Sequence, residues 1–561
     1  MIDWSWGLLT DDERMVLRRL AVFTDGCTLA AAERVCGDGD RNGRGGGGGR
    51  DQIDVLGPLI RLVDRSLVTV ADGPRYRLPE SIAAYALERL AEAGESDVLN
   101  RRHQAYYTEL AEQAAPHLYG SEQQRRLTLL DQERGNLRGA LERAVRGKDV
   151  TGALRLALAS TWYWFLRGRL SEARRSLEGA LRLSGHAEPA LRSDALLWHA
   201  GFTVLAAQGS GRTVRTPDVT ATDETAADAT AAGETATEKA GSARGVWFLG
   251  YALLSAGENL SRSEALVDRA LNRLRTAGDR WGTAAALSTR AAQALLRGDL
   301  AAVRHSAGEG HALFEELGDH WGQLQTSYPL AALAGITGDY ARAAQLHREG
   351  LRLAEDLGFW THAADRLTGL GRVALLTGDV PEATELHRKA MALAAEHGYA
   401  AGEIHAEIGL ALAARREGDL DLAEQHLRTA LAWHRRFDFD PGPALLLAEL
   451  GFLAEQRGQA ADALSLHRQS LAVAREGGDP RAVALAYEGL AGAYVLLGEP
   501  ERAARLLGTA ARAREAAGAP LPKAERGDVD RITARVLAAL GMPPFTAAFS
   551  ADIDESDGGS A

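Results

Sequence analysis

Glycine recurs in this chain on a ruler of 40 residues: Gly298, Gly338, Gly378, Gly418, Gly458 and Gly498. The next residue is Asp299, Asp339, Asp379 and Asp419, then Gln459 and Glu499. Five positions after each glycine stand Val303, Ala343, Ala383, Ala423, Ala463 and Ala503. Twelve positions after it every residue is small, from Gly310 and Gly350 to Ala510. Halfway along each period glycine returns at 318, 358, 398, 478 and 518, with Asp438 as the exception. Leu330, Leu370, Leu410, Leu450 and Leu490 form a further column, each followed by alanine or glycine. A period this strict restricts the chain to stacked copies of one supersecondary unit.

The spacing predicts two helices of about 14 residues per unit. Glycine ends a helix where the backbone turns left-handed, and the following aspartate caps the next one. Small residues let the helices approach while the leucine column fills the seam. This pattern resembles the tetratricopeptide repeat. It exceeds the common 34-residue unit by roughly six residues, which are expected in the connections, and it lacks the terminal proline. Weaker copies run upstream through Gly168 with Ala173, Gly209 and Gly257. Between them residues 216–243 hold little but Ala, Thr, Asp, Glu and Gly. That composition predicts a disordered insertion, too poor in large apolar side chains to pack.

The front of the chain follows another pattern. Thr10 and Glu13 make a capping box for a helix from Asp11 to about Val22. Further helices are expected over Leu29–Val35, Ile53–Asp64 and the stretch "SIAAYALERLAEAG". A hairpin is expected around Ala71-Asp72-Gly73-Pro74. Together they predict a winged helix. Trp4 and Trp6 precede all of this, so the chain begins already inside an apolar element.

The segments "IDWSWGLLTDDERMVLRRLAVF", "RLVDRSLV", "YRLPESIAAYALERL" and "LLDQERGNLRGAL" resemble the region after the nucleotide-binding domain of bacterial signal-transduction NTPase regulators. These are the actinobacterial antibiotic-regulatory and LuxR-type activators. The resemblance implies the order NTPase, winged helix, tetratricopeptide array, and makes residue 1 an internal seam. It implies an NTPase encoded upstream, in frame or as a neighbouring gene. The expected organisation is a winged helix over 1–95 and a helical connector with divergent repeats over 96–209. The disordered insertion covers 210–245, the repeat array 246–525, and a terminal helix with an acidic disordered tail 526–561. The fold class is all-α, a solenoid behind a small domain with one β-hairpin.

Composition narrows the function. Net charge is −12, and acids outnumber arginines in the first 110 residues, so the basic face used for nucleic acid is missing. The third helix, the one that would read DNA, carries Asp54, Arg61, Asp64 and Arg65, which nearly cancel. No apolar run of about 18 residues and no secretory leader are present, which predicts a cytoplasmic chain without membrane contact. Cys27 and Cys36 would lie about 13 Å apart along a helix, beyond disulfide reach.

"GRGGGGGRD" (43–51) has the glycines of a phosphate cradle but no strand before it, and GK[ST] occurs nowhere. No cofactor and no nucleotide site are expected. His347, His387 and His467 recur nine residues after the ruler glycine. Neighbouring repeats stand about 8–10 Å apart, too far for a shared metal, so packed imidazoles are expected. No catalytic constellation stands out, and the chain reads as a non-enzyme. The candidate binding surface is the inner face of the array, where register points to Tyr328, Asp365, Arg372, His405, Arg415, Phe452 and Glu488 as a groove for a protein or peptide. The reading is a protein-recognition sensor scaffold. The alternatives are a regulator that binds DNA through its winged helix and a degenerate gene fragment.

Overall fold

The computed structural model describes residues 2–37, 55–71, 73, 75–207, 236–257, 259–437 and 443–551. Of these, residues up to Ala206, with 236–245, make one compact unit, and those from Val246 onward make a second. Both are predominantly helical. The glycine-rich loop 43–51, residues 210–235 of the expected insertion and the acidic tail beyond Ala551 lie outside the described residues.

The first unit opens with α1 (Ile2–Gly7), α2 (Asp11–Leu20), α3 (Leu29–Cys36), α4 (Leu56–Asp64) and α5 (Glu80–Glu92). The capping box at α2 is formed: Thr10 N donates to Glu13 Oε2 at 2.9 Å, and Glu13 N donates to Thr10 Oγ1 at 3.3 Å. The expected hairpin is β2 (Thr69–Ala71) against β3 (Arg75–Arg77). A third strand, β1 (Cys27–Thr28), adds to β3, giving the antiparallel order β1-β3-β2. The expectation of one hairpin is corrected there. Two residues are too few to show alternation, and Thr28 also serves as the N-cap of α3, its hydroxyl accepting from Ala31 N. Cys27 and Cys36 are both buried and free.

Six helices complete the unit's run: α6 (Ser96–Ala114), α7 (Gln123–Gln132), α8 (Arg134–Arg146), α9 (Val150–Leu166), α10 (Leu170–Leu181) and α11 (Pro189–Ala207). A buried polar knot fastens sheet to helices. Glu133 accepts from Arg75, from Tyr107 Oη at 3.1 Å and from Asn136 Nδ2 at 2.9 Å. Asn136 also accepts from Thr24 N at 2.9 Å. Every partner satisfies another, which is what makes such a buried network tolerable.

The unit boundary falls within α12 (Ala236–Ser255), followed by α13 (Leu260–Thr276). The insertion expected to be disordered over 210–245 is therefore helical from Ala236 on. Alanine, glutamate and lysine there are strong helix formers, and they lead straight into the buried run of Trp247 and Phe248.

The array proper consists of helix pairs α14 (Arg280–Arg297) and α15 (Leu300–Leu317), α16 (His320–Ile336) and α17 (Tyr340–Leu357), α18 (Trp360–Thr377) and α19 (Val380–Glu396). It continues with α20 (Ala400–Glu417) and α21 (Leu420–Phe437), α22 (Pro443–Gln456) and α23 (Ala460–Gly477), α24 (Pro480–Leu496) and α25 (Pro500–Ala516). The ruler glycines adopt positive φ, from 71° at Gly298 to 87° at Gly378. Asp299, Asp339, Asp379 and Asp419 each accept a hydrogen bond from the amide three residues on. Gln459 and Glu499, which break the aspartate column, cap nothing.

One expectation fails instructively. Connections such as Gly378-Asp379 are two residues long, so the extra length of the repeat is in the helices and not in the connections. Three further residues per helix are nearly one turn at 3.6 residues per turn. The ruler survives because each half-repeat gains equally.

The recurring histidines are packing residues. His347, His387 and His467 are buried. The imidazole of His387 lies against Gly371 of its own repeat and Gly409 of the next. His467 lies likewise against Gly451 and Gly489. A Cβ at any of these glycines would collide with the ring, which accounts for the small residues beside the leucine column. Burial pushes the three imidazoles down to about 3, about 4 and about 3, so they are held neutral. Among the described residues no group of three or more His, Cys, Asp or Glu is arranged to hold a metal ion.

The end of the array returns to its beginning. Arg481 Nη2 donates to the Leu295 carbonyl at 3.1 Å. Ala519 packs with Ala294, Leu300, Val303 and Leu333. Two more helices follow, α26 (Gly527–Leu540) and α27 (Met542–Ser550).

A candidate partner groove

The first helices of successive repeats (α16, α18, α20, α22, α24) carry the seven residues expected to line a groove, and the structure sorts them into two groups. The first group is Tyr328, Asp365 and His405. Tyr328 is 44% exposed, and the guanidinium of Arg366 lies under its ring at 5.1 Å. Asp365 accepts from Tyr399 Oη at 3.3 Å on both oxygens and has His405 Nδ1 at 3.9 Å. Gln325 Nε2 and His362 Nε2 are 3.0 Å apart beside them. Each contact crosses from one repeat to the next, so the cluster exists only in the assembled array.

Arg366 underlies this group and is buried, donating through Nη2 to the Leu324 carbonyl at 2.5 Å. Burial pushes its guanidinium down to about 10, with Asp365 opposing. The same cause lowers His362 to about 4. The surface thus offers a carboxylate, two phenols and a half-exposed imidazole over a buried cation. That set carries donors and acceptors able to hydrogen-bond polar side chains and peptide backbone.

The second group is Arg372, Arg415, Phe452 and Glu488. Arg415 pairs with Glu449 at 2.9 Å and with Asp528 at 2.9 Å. Arg372 pairs with Glu525. Phe452, expected as an exposed ring, is 1% exposed. It supports the guanidinium of Arg415 at 5.6 Å and meets the ring of His467 at 4.9 Å. Glu488 is also corrected. It is 4% exposed and bound through both oxygens by Arg514 at 2.6 and 2.9 Å. Register placed its Cα on the right helix, but an arginine from the paired helix draws the carboxylate into the interior. Burial raises the affinity of Glu488 for a proton, against the attraction of Arg514.

Four contributors escaped the sequence reading: Arg366, Arg416, Glu449 and Glu455. Arg366 and Glu449 are charged residues on otherwise small or uncharged columns of the repeat, and that departure was the available signal. Glu455 receives Arg531 at 2.7 Å and Arg535 at 2.6 Å, and Arg416 Nη2 donates to the Ala524 carbonyl at 3.3 Å.

Known proteins resemble parts of this chain. The family model for the tetratricopeptide repeat matches residues 402–476. A Mycobacterium tuberculosis (strain ATCC 25618 / H37Rv) protein named as an HTH-type transcriptional regulator is 39% identical over 174 residues, 30% of this chain and 18% of that protein. A second protein of that strain, uncharacterised, is 37% identical over 108 residues, covering 19% of this chain and 25% of it. The chain thus spans less than a fifth of the first relative's length. Among solved structures, a Rap protein complexed with competence and sporulation factor is 15% identical with a TM-score of 0.41, covering 62% of this chain and 98% of that one. A signal transduction ATPase with numerous domains and a tetratricopeptide repeat sensor from Pyrococcus horikoshii is 12% identical with a TM-score of 0.31, covering 95% and 67%. The array is a tetratricopeptide-type solenoid, and among the described residues no helix is long and apolar enough to cross a membrane.

Proposed function

We propose that this chain is the protein-recognition half of a bacterial transcriptional or signalling regulator, with the array groove as its sensor surface. The observation that carries the reading is the Tyr328–Asp365–Tyr399–His405 cluster, built across repeats from residues the scaffold itself does not need. The named relatives are consistent with a regulator. The chain is read as a non-catalytic cytoplasmic scaffold that needs no cofactor.

The order helix, strand, helix, helix, strand, strand over residues 11–77 supports a winged helix. Its third helix is poorly suited to DNA: Arg61 is spent on Glu13 at 2.7 Å, with Arg65 at 3.9 Å from the same carboxylate. In the same unit Trp4 (72% exposed), Leu8, Ile60 and Leu87 stand in solvent. Apolar side chains so placed support docking of another domain, and the NTPase of the resembling regulators is the occupant we favour. Direct DNA binding through α4 is the second reading, favoured by the name of the mycobacterial relative.

A photo-crosslinking amino acid at position 328, with Arg428 on a second helix as the control position, tests the proposal in the cell that makes the protein. One discrete protein adduct from 328 and none from 428 is expected. Adducts equal at both positions, or absent from both, contradict it.

A further inference from the structure

One stretch after the array touches the first helix of every repeat from α14 to α24. Ala519 rests on α14, α15 and α16 through Ala294, Leu300, Val303 and Leu333. Glu525 pairs with Arg372 of α18. The Ala524 carbonyl and Asp528 take Arg416 and Arg415 of α20. Arg531 and Arg535 close on Glu455 of α22, and Ile532 lies against Gly492 of α24. The charges alternate to match: arginines of the groove meet acids of the segment, then a glutamate of the groove meets its arginines.

The two halves of this stretch are held differently. Ile532 and Val536 are fully buried in the apolar cluster of α24 and α25, the ordinary work of a helix that closes an array. Residues 519–531 fully bury only Ala519, with Val529 partly buried against the same apolar cluster. Among their ion pairs Arg372–Glu525 is partly exposed, at 45% and 28%, whereas Arg415, Asp528 and Glu455 are largely buried, at 16%, 20% and 1%. The end cap is thus held by apolar packing, and the groove half chiefly by matched charge.

Resting on the recognition reading above, we infer that residues 519–531 are an internal competitor for the groove. The partner is a helical peptide of the same charge order: two acids three residues apart, then an arginine three further on. Glu525, Asp528 and Arg531 write that order in this chain. A partner would supply better-placed acids to Arg372, Arg415 and Arg416 and a base to Glu455. The Tyr328–Asp365 cluster, which the segment leaves open, would then read the partner's flanking residues.

The test uses the full chain and a fluorescein-labelled synthetic peptide copying residues 519–540, followed by fluorescence anisotropy. Three proteins are compared: the unaltered chain, Glu525→Arg/Asp528→Arg, and that variant with Arg415→Glu added. The segment-weakened variant should bind the peptide about tenfold or more tighter than the unaltered chain, as expected when a mostly filled site is vacated. Adding Arg415→Glu should return binding to the weak level. Equal affinity for the first two proteins, or tight binding that ignores Arg415→Glu, overturns the inference. Should the double arginine variant unfold on circular dichroism, Glu525→Gln/Asp528→Asn serves, with the same order of affinities required. If the peptide binds none of the folded proteins while position 328 still crosslinks one partner, the inference fails and the recognition reading stands.

Discussion

The ruler columns and the groove columns lie on the same helices, yet they obey opposite rules. At the ruler positions every repeat repeats itself: glycine turns, aspartate caps, leucine fills the seam, and a small residue receives a neighbour's side chain. At the groove positions the repeats diverge. The column of Asp365 reads Gln325, Asp365, His405, Leu445, Leu485, and that of Arg415 reads Gly335, Leu375, Arg415, Glu455, Val495. Sameness builds the scaffold, because each interface must fit the next. Difference marks the site, because recognition needs chemistry that stacking does not require. The comparison is testable: ruler and buried-pair substitutions should damage stability, and open-groove substitutions should damage binding alone.

The largest loss should come from Arg514→Ala. It strands the buried carboxylate of Glu488 and should cost about 3–5 kcal/mol, read as a lower denaturation midpoint. Replacing both members with leucine and methionine should recover most of the loss, since the apolar pair leaves no unpaired charge.

Gly489→Leu comes next. Its side chain would take the space of the His467 imidazole, and overpacking of this kind costs about 1–3 kcal/mol. Pairing it with His467→Gly should relieve the collision. An unchanged midpoint in the single variant would mean that the ring and the glycine are not mutually required.

Acid should weaken the array through its histidines. Their folded values, about 3 to 4, lie below the unfolded 6.5, so the unfolded chain takes up protons first as pH falls. The stability they contribute is full above about 6.5 and is lost progressively below it, at up to roughly 1.4 kcal/mol per pH unit for each ring. His387→Leu borrows the residue that Leu427 and Leu507 place in the same register. It should shallow the acid slope of the melting midpoint while leaving the midpoint at pH 8 almost unchanged.

Asp379→Ala should cost about 1 kcal/mol as a lost N-cap, whereas Gln459→Ala should cost almost nothing, because Gln459 makes no capping bond. Equal costs at the two sites would show that the aspartate column does not act by capping.

How much of this was legible beforehand follows the same division. Helix ends, caps and seams depend on residues a few positions apart or one period away, and Gly298 with Asp299 declared them plainly. The helix length did not show, because added residues are as helical as the rest and leave the glycine spacing to carry the difference. Of the groove, the row of first helices was readable from the leucine column. The fates of Glu488 and Arg415 were not. Arg415 meets Asp528 from 113 positions away, and only the return of the array on itself brings them together. The two-residue strand Cys27–Thr28 was hidden for a related reason, since its partner lies across a connection of nearly fifty residues.

The most direct test puts both regions into one experiment: crosslinking from position 328 and the thermal midpoint, measured together for Asp365→Ala and Gly489→Leu. Asp365→Ala should abolish the adduct while moving the midpoint by less than about 2 °C, as a surface change should. Gly489→Leu should lower the midpoint and leave the adduct in proportion to the protein still folded. An adduct that survives Asp365→Ala in full would contradict the assignment of the groove as the recognition surface.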